Sequence, residues 1–82
     1  MERILSVESV RFEGPALTRR ARESLSAAGI SVMERHASTT WGEQRQDYLV
    51  AVDARDRDDA VGRVRAAISP HGAYSAFTAD PH

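Results

Sequence analysis

The sequence predicts an α+β sandwich of order βαββαβ, a four-stranded antiparallel sheet with two helices on one face. Three stretches predict it. Gly14 to Val32 reads as a turn, an amphipathic helix, a glycine stop and the start of a strand. Tyr48 to Asp53 is the most uniformly apolar run in the chain, which suits a strand inside a sheet rather than at its edge. Asp56 to Ile68 opens with aspartates and continues with apolar residues at helical spacing.

Taken in order, Ile4 to Phe12 is strand-like through Ile4, Leu5, Val7, Val10 and Phe12. Leu5 and Val7 share one parity while Val10 and Phe12 share the other, so a bulge near Glu8 and Ser9 is expected to reset the face. Gly14-Pro15 then makes a turn, with proline suited to the first position of a helix. Leu17, Ala21, Leu25 and Ala28 form that helix's apolar stripe, and Gly29 caps it in the left-handed conformation. Ile30 to about Thr39 is the second strand, and the polar segment Ser38 to Gln46 holds a hairpin turn. In the third strand Tyr48, Val50 and Val52 alternate with Leu49, Ala51 and Asp53. Asp56 is the expected N-cap of the second helix, with Asp58 and Asp59 complementing its dipole. Its buried stripe is Ala60, Val61, Val64, Ala67 and Ile68, while Arg63 and Arg65 face water. Pro70 and Gly72 end it, and Ala73 to Ala79 is the last strand. Two βαβ halves joined by a hairpin give a ferredoxin-like sandwich, with strands one and three central and strands two and four at the edges.

Composition bounds the function classes. Eighty-two residues accommodate one domain with a modest core, so residues 1–82 are read as a single unit. A formal net charge of −1 gives no global attraction to nucleic acid or to an anionic membrane. Cysteine is absent, which excludes disulfides, thiol nucleophiles and thiolate metal sites. No stretch approaches the ~20 apolar residues of a spanning helix, and a cytoplasmic location is expected. All eleven basic residues are arginine, a bias that a GC-rich genome explains without any phosphate recognition.

The strand, the Gly14-Pro15-Ala16-Leu17 turn, the Arg- and Ala-rich helix and Ala27-Ala28-Gly29-Ile30-Ser31-Val32 together resemble the ACT domain, a small regulatory module that senses amino acids. Tyr48 to Asp53 and Asp58-Asp59-Ala60-Val61 resemble it as well. The likeness runs from the first strand to Ile68. This chain departs from the family pattern by reversing glycine and proline in the turn and by carrying Ser31 where many members have asparagine. The resemblance implies a free-standing module that binds an amino acid or similar small carboxylate, or regulates a partner protein by association, as a homodimer. By residue, it implies ligand contacts at Gly14, Pro15, Ala16, Leu17 and Ser31.

Read from the residues themselves, the turn leads into a helix N-terminus where free amides of Ala16 and Leu17 can receive a carboxylate. Glu34 and His36 share a face if the second strand is regular, which would make an acid/base pair. No third metal ligand lies nearby, and no catalytic residue, metal or cofactor is expected. Trp41, the sole tryptophan, stands near the hairpin tip, where it either folds back over the chain's own core or anchors an interface. Arg19, Arg20 and Arg22 read as a solvated helix face. Leu49 and Ala51, turned to the uncovered sheet face, are expected to leave an apolar patch, and edge strands two and four to leave unpaired backbone groups, so a symmetric homodimer through the open face or an edge is expected, with Trp41 near the contact. Two other readings are a small enzyme working in an oligomeric cavity with His36 and Trp41, and a nucleic-acid-associated dimer; an aromatic-rich strand motif for the latter is missing.

Overall fold

The computed structural model describes residues 5–40 and 43–80. The elements run β1 (Ser6–Gly14), α1 (Arg19–Ala27), β2 (Ser31–Thr40), β3 (Glu43–Ala54), α2 (Arg57–Ile68), a 3-10 turn (Ser69–His71) and β4 (Ser75–Asp80). The strands form one antiparallel sheet in the order β2-β3-β1-β4, so β1 and β3 are central. This is the ferredoxin-like α+β arrangement the sequence predicts. The start of the predicted first strand at Ile4, the hairpin tip with Trp41, and His82 lie outside the described residues.

Both helices cover the same face of the sheet. Val10, Phe12, Tyr48, Val50 and Val52 from the central strands meet Ala21 and Leu25 of α1 and Ala60, Val64 and Ile68 of α2 in one buried cluster. Phe12 is its hub, stacked on Tyr48 at 5.0 Å and on Phe77 at 5.5 Å, and set edge-on to Tyr74 at 5.7 Å. Each such pair contributes roughly 0.5–1.5 kcal/mol beyond the area it buries. Ser24 Oγ donates to the Ala67 carbonyl at 2.7 Å and ties the two helices together.

The expected bulge at Glu8 and Ser9 is absent. β1 pairs with β3 without a shift from Ser6↔Ala54 to Gly14↔Gln46. The parity conflict is resolved differently: Val10 and Phe12 point to the helices, while Leu5 and Val7 stay exposed. Bulges occur instead in the two edge strands. One places Met33 between the pairs Val32↔Val50 and Glu34↔Leu49. The other lies in β4 between the partners of Arg11 and Glu13, where Ala76 takes a φ of 59°.

Helix α1 starts later than the turn suggests. Its N-cap is Thr18, whose hydroxyl accepts from the Ala21 amide at 3.1 Å, so Pro15 is not its first residue. Its end matches expectation. Gly29, at φ 74°, donates to Ser26, and Ile30 donates to Leu25, a Schellman closure that Leu25 and Ile30 back with buried side chains. Helix α2 is capped by Asp56, which accepts from the Asp59 amide at 2.8 Å. Among the described residues no helix is long and apolar enough to cross a membrane.

Candidate binding site

The turn after β1 is filled from within. The Tyr48 hydroxyl donates to the Pro15 carbonyl at 2.8 Å, and the Tyr74 hydroxyl to the Ala16 carbonyl at 3.4 Å. A Cβ on Gly14 would stand 2.5 Å from Tyr74 Cδ1, so glycine here makes room for a neighbouring ring. A Gly14→Val variant would therefore strain the fold whether or not a ligand binds. Helix α1 begins only at Arg19, so the amides of Ala16 and Leu17 are not its N-terminal donors.

Ser31 is not brought to this turn. It pairs with Ala51, which pairs with Ser9, five residues down β1 from Gly14. Five residues of strand span roughly 17 Å. Ser31 also shares the uncovered face with Ala51, and it borders a separate recess with Val7, Gly29 and Asp53. The five residues implied as ligand contacts therefore form no single constellation within one chain.

Beside the turn lies a groove of about 310 Å³ between α1 and β2, bordered by Leu17, Arg22, Val32, Met33, Glu34 and Arg35. Leu17, Val32 and Met33 supply apolar surface; Val32 and Met33 are among the few large hydrophobic side chains left exposed. Arg35 stands opposite Tyr48, whose ring is in the helix-side core, so Arg35 is on the helix side of the sheet. Arg22 is one turn into α1, its amide bonded to the Thr18 carbonyl at 3.0 Å. Among the described residues neither arginine takes part in an ion pair. Both charges reach the Tyr48 phenol. Burial raises its pKa above the usual tyrosine value, opposed by the Leu17 backbone and by the positive charges of Arg35 and Arg22. Of the predicted contacts only Leu17 lines this groove.

The uncovered sheet face carries a second depression, of about 340 Å³, bordered by Arg11, Phe12, Glu13, His36, Asp47, Tyr48 and Ala76. His36, Asp47, Glu13 and Ser75 form one row across all four strands. Glu34 and His36 do share this face, with His36 Nε2 3.8 Å from Glu34 Oε2. Arg45 reaches Glu13 at 3.5 Å and Ser75 at 3.0 Å, and Arg11 reaches Asp80 at 3.3 Å. Leu49 and Ala51, both half-buried, lie among these charges on the uncovered face, which also carries the exposed Val7. Among the described residues no group of three His, Asp or Glu is arranged to hold a metal.

No protein-family model matches the chain, and comparison with curated proteins and with solved structures returns no match.

Proposed function

We propose that this chain is an ACT-like binding module that takes an amino acid or similar small carboxylate. On this reading it is no enzyme; it works in the cytoplasm as a homodimer and transmits occupancy by association with itself or a partner protein. The observation that carries the proposal is the α1–β2 groove, where Arg22 and Arg35 flank the apolar surface of Leu17, Val32 and Met33. Guanidinium groups bind carboxylates in a fork geometry, and an apolar lining beside them suits the body of a small organic acid. The groove lies next to the turn that the family resemblance singles out. The homodimer is supported by the exposed β2 edge, where Val32 and Met33 adjoin unpaired backbone groups.

A thermal-shift screen of amino acids and small carboxylic acids tests the reading. A true ligand at a hundred times its dissociation constant adds about 2.7 kcal/mol of stability, and Arg35→Ala should abolish the shift. No shift with any carboxylate would reject the proposal.

The depression on the open face favours a second reading, a small enzyme using His36 as acid or base beside Glu34. It predicts that His36→Ala removes an activity while carboxylate binding in the groove is unchanged.

A further inference from the structure

The charges of this chain are segregated by face. On the open side of the sheet, strand pairing groups Glu13, Glu34, Asp47, Asp53 and Asp80 with only Arg11 and Arg45. Both arginines already face a carboxylate, Arg11 that of Asp80 and Arg45 that of Glu13. Among the described residues Asp47 and Asp53 take part in no ion pair. The helix layer has the opposite sign. Helix α1 exposes Arg19, Arg20 and Arg22 against Glu23, and α2 exposes Arg57, Arg63 and Arg65 against Asp58 and the half-buried Asp59. Arg20 and Arg57 take part in no ion pair among the described residues.

Each surface also has an apolar feature of matching sense. Val7, across from Asp53 in the β1–β3 pairing, stands 62% exposed on the open face. Between the helices lies a recess of about 520 Å³, bordered by Ser24, Ala27, Ala28, Ala66, Ala67 and Arg63. Ser24 turns its hydroxyl to the Ala67 carbonyl, which leaves methyl groups to line most of the recess. The two features sit on opposite sides of the molecule, so one chain cannot join them. We infer that the open sheet face of one copy docks on the helix layer of the next, with Val7 entering the recess and Asp47 and Asp53 meeting arginines. Two open faces brought together would instead oppose carboxylates of both copies, which costs affinity. A net charge of −1 leaves little overall repulsion between copies. Because the contact joins unlike surfaces, each added copy presents one of each, and association continues into an open chain of copies.

Light scattering by the full chain decides this, at about 0.01 M salt, where charges are felt over ~30 Å, and at about 1 M, where the range is ~3 Å. At low salt the mean mass should rise with protein concentration past two chains, and at high salt it should not. A β2-edge dimer closes on itself, so mass beyond two chains reports this contact alone. The double variant Asp47→Arg, Asp53→Arg should abolish the growth, and so should Arg20→Glu, Arg57→Glu. Arg20 and Arg57 stand in the first turns of their helices, where an acidic residue suits the dipole, so the circular dichroism spectrum should be kept. Mixed in equal amounts, the two double variants should associate again, because each offers the charge that the other has reversed. Val7→Ser, at an exposed position, should weaken the growth about tenfold or more. A parent protein that never exceeds two chains at low salt would overturn the inference. So would growth indifferent to salt, growth lost in only one of the double variants, or undiminished growth of Val7→Ser.

Discussion

The Tyr48 hydroxyl and the Pro15 carbonyl, 2.8 Å apart, join the central strand β3 to the turn that follows β1. With the Tyr74–Ala16 bond, this holds residues 15–17 away from helical geometry and delays α1 until Thr18 can cap it. Tyr48→Phe keeps the ring stacked on Phe12 and removes only the hydroxyl. It should cost about 1 kcal/mol in urea denaturation, the net worth of one such hydrogen bond. A variant as stable as the parent would mean that solvent satisfies Pro15 equally well.

Gly14→Ala places a methyl group against Tyr74 Cδ1 and, at 3.1 Å, against Tyr74 Cα. Overpacking of this kind costs roughly 1–3 kcal/mol. In a Tyr74→Ala background the cost should shrink but not vanish, because the backbone approach remains. Full additivity of the two substitutions would show that they do not meet.

Asp59 gives acid stability a specific shape. It accepts from the Arg55 amide at 3.0 Å and from the guanidinium groups of Arg55 and Arg63 at 3.3 and 2.8 Å. The backbone bond, then the two side-chain bonds, hold its carboxyl well below the usual carboxylate range. A folded-state value below the unfolded one means that the contribution is complete above the unfolded pKa of about 3.9 and fades as pH falls toward the folded value. Asp59→Asn should therefore lower the denaturation midpoint at neutral pH, with the gap to the parent narrowing below about pH 4. A gap that stays constant into the acid range would exclude this account.

Self-association through β2 makes its own demand on Val32 and Met33. Sedimentation equilibrium should find a dimer, and Val32→Glu should weaken it about tenfold or more by setting a charge into the apolar edge. If Val32→Glu leaves a dimer unchanged, the contact lies elsewhere. A monomeric parent protein would remove the dimer from the proposal.

Much of the fold was legible because its signals are local. Gly29 after an Ala- and Leu-containing helix, Asp56 before Ala60, Val64 and Ile68, and the alternation of Tyr48, Val50 and Val52 each declare their own element. The helix start at Thr18 was hidden, since what keeps Pro15 and Ala16 out of the helix is a pair of tyrosines far along the chain. The phase of β1 is hidden in the sequence because exposed Leu5 and Val7 are as apolar as buried Val10 and Phe12. The groove was the least legible part. Arg22 reads as one solvated arginine among several, and the side of the sheet that Arg35 takes depends on a bulge defined only by the pairing of β2 with β3. The one sequence signal was Met33, an apolar residue adjoining Val32 where strict alternation calls for a polar one.

That bulge also sets which deletions the protein can absorb. Between Val32 and Glu34 the chain carries one residue more than their partners Val50 and Leu49 require. Removing Met33 leaves every later pair of β2 in phase and takes away only part of the groove's apolar wall. Removing Arg35 instead would draw the surplus residue into the ladder, turning Met33 to the open face and Glu34 toward the helices. A deletion of the same length, two positions on, would thus exchange a cation for a carboxylate at the same corner of the groove.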